Sequence, residues 1–289
     1  MGRHAPTRMT VTPIDRFAEC IAPASWQAVD VISDLHLQAG EPDTFNAWLG
    51  YLQRPAHERA DALFILGDLF EVWVGDDVLG ERTPSSTDHA FWRACAQALR
   101  AYSDHAPVYF MAGNRDFLVG PAALDACGMQ RLSDPSVLVF HGQRWLLSHG
   151  DALCVADLEY QRFRLQVRSD DWQHAFLAQP LHERLRLARA MRMHSESQKR
   201  SDAVYADADT ATSLAWLKAA DSRHLIHGHT HQAADHSLLE TPHTLRQVLS
   251  DWSLDHTPLR AQALRLWANG QTERVDLAPK GQAARPLMR

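Results

Sequence analysis

The chain has 289 residues, is 45% hydrophobic and 22% charged, and carries a formal net charge of −6. It is long enough for one large or two ordinary soluble domains with a substantial core, and its charge gives no basic field of the kind that draws nucleic acid. No apolar run reaches the roughly 20 residues a membrane span requires, and Met1 to Ala28, with Asp15 and Glu19, lacks the sustained apolar core of a secretory signal.

Cys20, Cys95, Cys127 and Cys154 are scattered, with no CxxC pair, so neither a zinc ribbon nor a disulfide framework is indicated. Free thiols suit a reducing cytoplasm. Residues 1–27 contain Pro6, Pro13 and Pro23 without clear periodicity and read as an N-terminal extension, in part disordered. From there short apolar runs alternate with helical stretches. Val29 to Ile32, Ala62 to Leu66, Val108 to Met111, Trp145 to Leu147 and Leu225 to Ile226 read as buried strands. Thr44 to Leu52 and His89 to Tyr102 read as helices. The alternation predicts a layered α/β fold, with its core over 28–152 and 221–280.

Residues 153–220 break the pattern. Two or three helices follow without a strand between them, and Leu177, Leu181, Leu185 and Ala188 form an amphipathic stripe. This stretch reads as a helical cap insertion, with an excess of Lys and Arg between Arg162 and Arg200. Beyond residue 240, Gln247 to Leu249, Ala263 to Leu266 and Arg274 to Leu277 read as terminal strands of a second sheet layer.

Each of the five core strands is followed by a polar cluster: Asp34-Leu35-His36, Gly67-Asp68, Gly113-Asn114-Arg115-Asp116, Ser148-His149-Gly150-Asp151 and Gly228-His229-Thr230-His231. In layered α/β folds ligands gather beyond the carboxyl ends of strands, so all five can converge. Asp34 and His36, and again His229 and His231, stand at i, i+2, on one side of an extended chain. Asp68 is the natural bridging ligand, because a carboxylate can offer one oxygen to each of two ions. With Asn114 and His149 the set is oxygen and nitrogen without thiolate, which suits Mn²⁺, Fe²⁺, Zn²⁺ or Co²⁺. Two such ions can activate a water and clamp phosphoryl oxygens, so the reaction indicated is hydrolysis at phosphorus.

These clusters, in this order, resemble the calcineurin-like metallophosphoesterase superfamily over roughly residues 29 to 255. The resemblance implies an α/β/β/α sandwich. It also implies two ions, one on Asp34, His36, Asp68 and His231 and the other on Asp68, Asn114, His149 and His229. Most members have histidine after the asparagine; here Arg115 stands there. Arginine keeps its charge and cannot protonate a poor leaving group, but it can grip phosphate oxygens in a fork. That favours a diphosphate substrate, whose leaving group is already stable. The other reading of Arg115 is a structural ion pair with Asp116.

Longer stretches narrow the resemblance: Gly67 to Asp77, Gly113 to Leu118, His149 to Cys154, Tyr160 to Arg164 and Arg246 to Trp252 are similar to the UDP-2,3-diacylglucosamine hydrolase family. The family implies Mn²⁺-dependent cleavage of the pyrophosphate of UDP-2,3-diacylglucosamine in lipid A synthesis, by metal-hydroxide attack on the α-phosphorus. The products implied are UMP and 2,3-diacylglucosamine 1-phosphate. It further implies peripheral association with the cytoplasmic face of the inner membrane and no obligate protein partner. By residue match, Asp68, Asn114, Arg115 and His229 would be catalytic. Asn114, Arg115, Asp157, Ser195, Lys199 and His229 would contact substrate. After Ser195 the chain departs from the family's pattern, and Lys199 is the nearest match for the next contact. The N-terminal extension is a second departure. The alternative on the same core is a soluble nucleotide or cyclic-nucleotide phosphodiesterase.

Overall fold

A computed structural model describes residues 17–80, 87–200 and 207–278, without the side chains of Thr87 and 193–200. Two six-stranded sheets face each other. The first has the order β12-β11-β2-β3-β4-β5: β2 (Ala28–Ile32), β3 (Ala62–Leu66), β4 (Val108–Met111) and β5 (Met129–Leu132) are parallel, while β11 (Gln262–Trp267) pairs antiparallel with β2 and β12 (Thr272–Asp276) antiparallel with β11. The second has the order β1-β6-β7-β8-β10-β9, from β1 (Ala18–Ile21), β6 (Ser136–Phe140), β7 (Gln143–Ser148), β8 (His224–His227), β10 (His243–Val248) and β9 (Ala234–Glu240). The strands expected beyond residue 240 therefore divide. β10 joins the second sheet, but β11 and β12 extend the first, because Leu264 and Leu266 pair beside β2 and face the space between the sheets.

Strand periodicity builds the layers. Successive side chains point to opposite faces. In β3, Ala62, Phe64 and Leu66 enter the inter-sheet core, while Leu63 and Ile65 enter the core under the helices. In β7, Trp145 and Leu147 face the first sheet and Leu146 faces outward. Helices α1 (Pro42–Leu52), α2 (Thr87–Ser103) and α3 (Pro121–Cys127) cover the outside of the first sheet, with Trp48, Tyr51, Cys95 and Leu99 buried there. On the outside of the second sheet Trp216 and Leu217 of α7 (Thr210–Ala219) pack on Val137, Leu146 and Leu225. The result is an α/β/β/α sandwich.

Among the described residues, the stretch 153–220 holds four helices: α4 (Leu158–Val167), α5 (Asp170–Leu177), α6 (Leu181–Arg200) and α7. The last belongs to the sheet it covers. The expected apolar stripe is not continuous. Leu177 ends α5 and Leu181 begins α6, since Pro180 between them cannot donate the backbone bond a continuing helix needs. Leu181, Leu185 and Ala188 still pack against the core beneath the helices, whereas Leu177 is exposed.

Residues 1–16 lie outside the described residues. Part of the expected extension carries structure: β1 pairs in parallel with β6, and Trp26 is buried between the sheets. No helix among the described residues is long and apolar enough to cross a membrane.

Away from the strand ends, β2 carries a buried charge of its own. Asp30 of β2 is fully buried and accepts from Arg265 at 2.7 and 2.9 Å, from the Tyr51 hydroxyl at 3.0 Å and from Arg54 at 3.2 Å. Removing one partner of such a pair strands a buried charge. Arg265→Met should lower unfolding free energy by about 3–5 kcal/mol in urea titration; a loss below about 1 kcal/mol would show that Arg54 and Tyr51 suffice.

Candidate metal centre

All five polar clusters lie just beyond the carboxyl ends of strands: β2, β3 and β4 of one sheet and β7 and β8 of the other. Backbone bonds stitch these loops together. Asp34 N–H donates to Gly67 O at 3.1 Å, His36 N–H to Asp68 O at 2.9 Å, Gly228 N–H to His149 O at 2.9 Å and Trp252 N–H to Asp34 O at 3.0 Å. The turns are sharp. Asp34, His36, Asp68, His229 and His231 all adopt positive φ, between 49° and 67°. Non-glycine residues adopt this region uncommonly, and it costs of order 1–3 kcal/mol each unless the surroundings fix it.

Two glycines are required by close approach. A Cβ on Gly113 would stand 2.1 Å from Asp68 Oδ1, and one on Gly228 would stand 2.2 Å from Asp34 Oδ2. Gly228 thus permits contact, and its φ is not among the positive ones.

The side chains meet in two groups that share Asp68. In one, His36 Nε2 lies 3.2 Å from His231 Nε2 and 3.9 Å from Asp68 Oδ2, and His231 Nε2 lies 3.6 Å from Asp34 Oδ1. In the other, Asn114 Oδ1 is 2.9 Å from both His149 Nε2 and His229 Nδ1, and His149 Nε2 is 3.7 Å from Asp68 Oδ1. The two carboxylate oxygens of Asp68 therefore face different ligand groups. Ligand atoms of Asp34, His36 and His231, and of Asp34, Asp68 and His149, lie within 4.8 Å of one another.

Partners behind the ligands orient them, as is usual for imidazoles that bind metals. His149 Nδ1 sits 2.9 Å from Leu66 O, which leaves Nε2 for the centre. His36 Nδ1 pairs with Glu71 Oε2 at 2.8 Å. His231 Nδ1 is 3.7 Å from Asp251 Oδ2, and Arg260 grips both oxygens of Asp251 at 2.8 and 2.7 Å. Asp116 accepts from the N–H groups of Gly113 at 2.8 Å, Leu69 at 2.8 Å, Asp68 at 3.3 Å and Phe70 at 3.4 Å. It anchors the loops after β3 and β4 through these backbone bonds. The Arg115 guanidinium lies 3.7 Å from Glu71, while Arg115 N–H donates to Asp68 Oδ1 at 2.8 Å.

The insertion closes one side. Asp151 of the fourth cluster is buried and accepts from the Tyr160 hydroxyl at 2.7 Å, from Arg164 at 2.8 Å and from Arg168 at 3.4 Å. The Tyr160 ring stacks on His229, with centroids 5.8 Å apart. Arg192 of α6 reaches Glu71 at 3.1 Å. Asp157 is exposed and caps α4, accepting from Tyr160 N–H at 2.9 Å. Ser195 and Lys199 fall on α6, but their side chains lie outside the described residues.

Sequence reasoning missed Glu71, Asp251 and Arg192, and read Asp116 only as a partner for Arg115. The three carboxylates stood inside the motifs named above, which was the available signal. Arg192 carried none.

Crowding of charge sets the protonation of this centre. Burial works against ionised Asp34, yet the adjacent His231, with His149 and His36 behind it, holds its carboxyl well below the usual range. Burial and the neighbouring Asp68 push Asp116 up to about 6. Burial opposes charge on His149, but Asp68, Asp151 and Asp34 raise it to about 9. Burial and His149 lower His229 to about 3.

A family model for calcineurin-like phosphoesterases matches residues 28–233. A UDP-2,3-diacylglucosamine hydrolase of Xanthomonas axonopodis pv. citri is 43% identical over 242 residues, which is 80% of this chain and 94% of that protein. One from Chromohalobacter salexigens is 42% identical over 226 residues, 77% of this chain and 87% of that protein. One from Bordetella parapertussis is 41% identical over 227 residues, 78% of this chain and 85% of that protein. The chain belongs to the calcineurin-like phosphoesterases and, within them, to the UDP-2,3-diacylglucosamine hydrolase family. It is a metal-dependent hydrolase.

The residues present fit a divalent metal. Asp34 Oδ1 is buried without a hydrogen-bond partner, and the His36 and His231 Nε2 atoms point at each other across 3.2 Å. Such an arrangement suits a cation that both lone pairs can use.

Two outcomes follow from this geometry. Asp68→Ala should keep the circular dichroism of the parent while divalent-metal content after dialysis collapses; retention of parental metal content would remove Asp68 as the shared ligand. In the metal-free protein His149 carries a proton below about 9, and a metal takes only the neutral ring. Burial opposes charge on His36 as well, but Glu71 and Asp68 raise it, so binding at pH 7 should release about one proton or more, and affinity should rise at least about tenfold per pH unit until near that value. Calorimetry in two buffers of different ionisation enthalpy checks this; pH-independent binding without proton release would refute it.

Proposed function

We propose that the chain hydrolyses the pyrophosphate bond of UDP-2,3-diacylglucosamine, giving UMP and 2,3-diacylglucosamine 1-phosphate, with two Mn²⁺ ions bound. The observation that carries the two-ion reading is Asp68, whose oxygens face separate groups, His36 on one side and His149 on the other. Asp34, His36, Asp68 and His231 would hold one ion, and Asp68, Asn114, His149 and His229 the second. When bound, such ions neutralise phosphoryl oxygens and acidify a water.

The chain's own residues supply binding and orientation. Arg115 stands beside the shared carboxylate, with its backbone fixed on Asp68, and its guanidinium can take phosphoryl oxygens in a fork. Because it keeps its proton at neutral pH, it stabilises charge and does not act as an acid. That matches a leaving phosphate, which leaves without protonation, better than a simple alkoxide. Asn114 and His229, already in contact, would meet the phosphoryl group being attacked. Asp157, Ser195 and Lys199 would address the sugar from the insertion, residues 153–220 acting as a cap over the core. The basic excess of that insertion supports peripheral binding to an anionic inner-membrane surface on its cytoplasmic side.

The test is hydrolysis of UDP-2,3-diacylglucosamine in ¹⁸O-water with Mn²⁺, with and without prior chelation. The expected outcome is loss of turnover on chelation, recovery with Mn²⁺, and label in UMP, which marks attack at the uridine-side phosphorus. Label in the lipid phosphate would reverse the direction of attack. No turnover, with cleavage of generic phosphodiesters, would replace the substrate by a nucleotide diester.

A further inference from the structure

The segment after β3, Leu69 to Asp77, does more than carry Asp68. Leu69, Phe70, Trp73 and Val74 are buried in the core beneath the helices, so the chain here is fixed. Its acidic residues face elsewhere. Asp76 caps α3, accepting from Gly120 N–H at 2.8 Å and Ala123 N–H at 3.0 Å. Asp77 pairs with Arg184, near the start of α6, at 2.9 Å. Glu71 pairs with Arg192 at 3.1 Å. Eight residues separate the two arginines along α6, about 12 Å of helix. One rigid segment therefore holds α6 at two points.

The second point differs from the first. Glu71 is only 6% exposed and collects three cationic or titratable partners. Its Oε2 meets His36 Nδ1 at 2.8 Å. Its Oε1 meets both Arg192 at 3.1 Å and Arg115 at 3.7 Å. His36 presents its other nitrogen to the ligand group. A single carboxylate thus touches the back of a candidate metal ligand, the arginine of the third cluster and the insertion.

We propose that Glu71 is a positioning residue that couples α6 to the metal centre, one oxygen fixing the His36 ring and the other seating Arg115 and Arg192 beside it. The inference rests on reading His36 as a metal ligand. The guanidinium groups of Arg115 and Arg192 meet at one Glu71 oxygen beside the centre, and both keep their charge at neutral pH. A diphosphate can draw on that charge, so Arg192 becomes a substrate contact supplied by the insertion. Arg192 is then placed by Glu71 before substrate arrives, which lowers the ordering cost of binding.

Three variants separate the two halves of this role: Glu71→Ala, Glu71→Gln and Arg192→Met. The readouts are Mn²⁺ affinity by calorimetry and amide hydrogen exchange along 181–200 in the absence of substrate, so neither depends on what the enzyme hydrolyses. Glu71→Ala should weaken Mn²⁺ binding about 10–100-fold. Glu71→Gln keeps an acceptor for His36 and should restore affinity to within about threefold of the parent. Both Glu71→Gln and Arg192→Met should speed exchange in α6 about fivefold, and Arg192→Met should leave Mn²⁺ affinity unchanged. Parental Mn²⁺ affinity in Glu71→Ala, or failure of glutamine to restore it, would overturn the positioning of His36. Parental exchange in both Glu71→Gln and Arg192→Met would overturn the coupling to α6. If UDP-2,3-diacylglucosamine proves not to be hydrolysed while these shifts occur, the substrate reading fails and the coupling stands.

Discussion

The candidate site is organised around one buried carboxylate. Asp68 is 2% exposed, and its two oxygens look toward different groups of ligands. A carboxylate in that place must be oriented in both rotation and depth, and the surrounding loops do this with backbone. Arg115 N–H binds one oxygen, and Asp116 gathers four N–H groups from the loops after β3 and β4. Gly113 has no Cβ because Asp68 occupies that space. The third cluster therefore serves the second before it serves any substrate.

Holding the ligands this way has a conformational cost. Five of the seven candidate ligands sit in left-handed backbone, and all crowd like and unlike charges into a buried volume. The core on either side makes this affordable. Strands β2 and β3 are buried on both faces, by the helices outside and by the second sheet inside. Turns at the ends of such strands cannot relax without opening two hydrophobic layers. Strain concentrated at a functional site, supported by a rigid scaffold, is the expected trade.

The insertion is tied to the centre from several sides. Tyr160, Arg164 and Arg168 converge on Asp151, and Arg184 and Arg192 bind the segment after β3. Of these, the contacts to Asp151 end two residues after His149, and the Arg192 pair ends on the carboxylate that holds His36. Movement of the insertion and geometry of the centre are therefore not independent. That follows from where the carboxylates lie, whatever the insertion covers.

The sequence by itself determined the candidate ligands and their order along the chain. Short apolar runs ending in Asp, His and Asn are local patterns, and the period of a buried strand sets which side each residue faces. The core strands and the helices near 44–52 and 89–102 were legible for the same reason. Tertiary structure alone decided the partners. Nothing local pairs Glu71 with Arg192 or His231 with Asp251, and nothing local sends β11 and β12 to the first sheet. The stripe from Leu177 to Ala188 matched helical spacing but crossed Pro180, where two helices meet. Likewise Arg115 lies beside Asp116 in the chain, yet Asp116 turns inward to the backbone and Arg115 turns to Glu71. Periodicity assigns a residue to a face; the contact it makes there depends on residues far away in the chain, brought near only by folding.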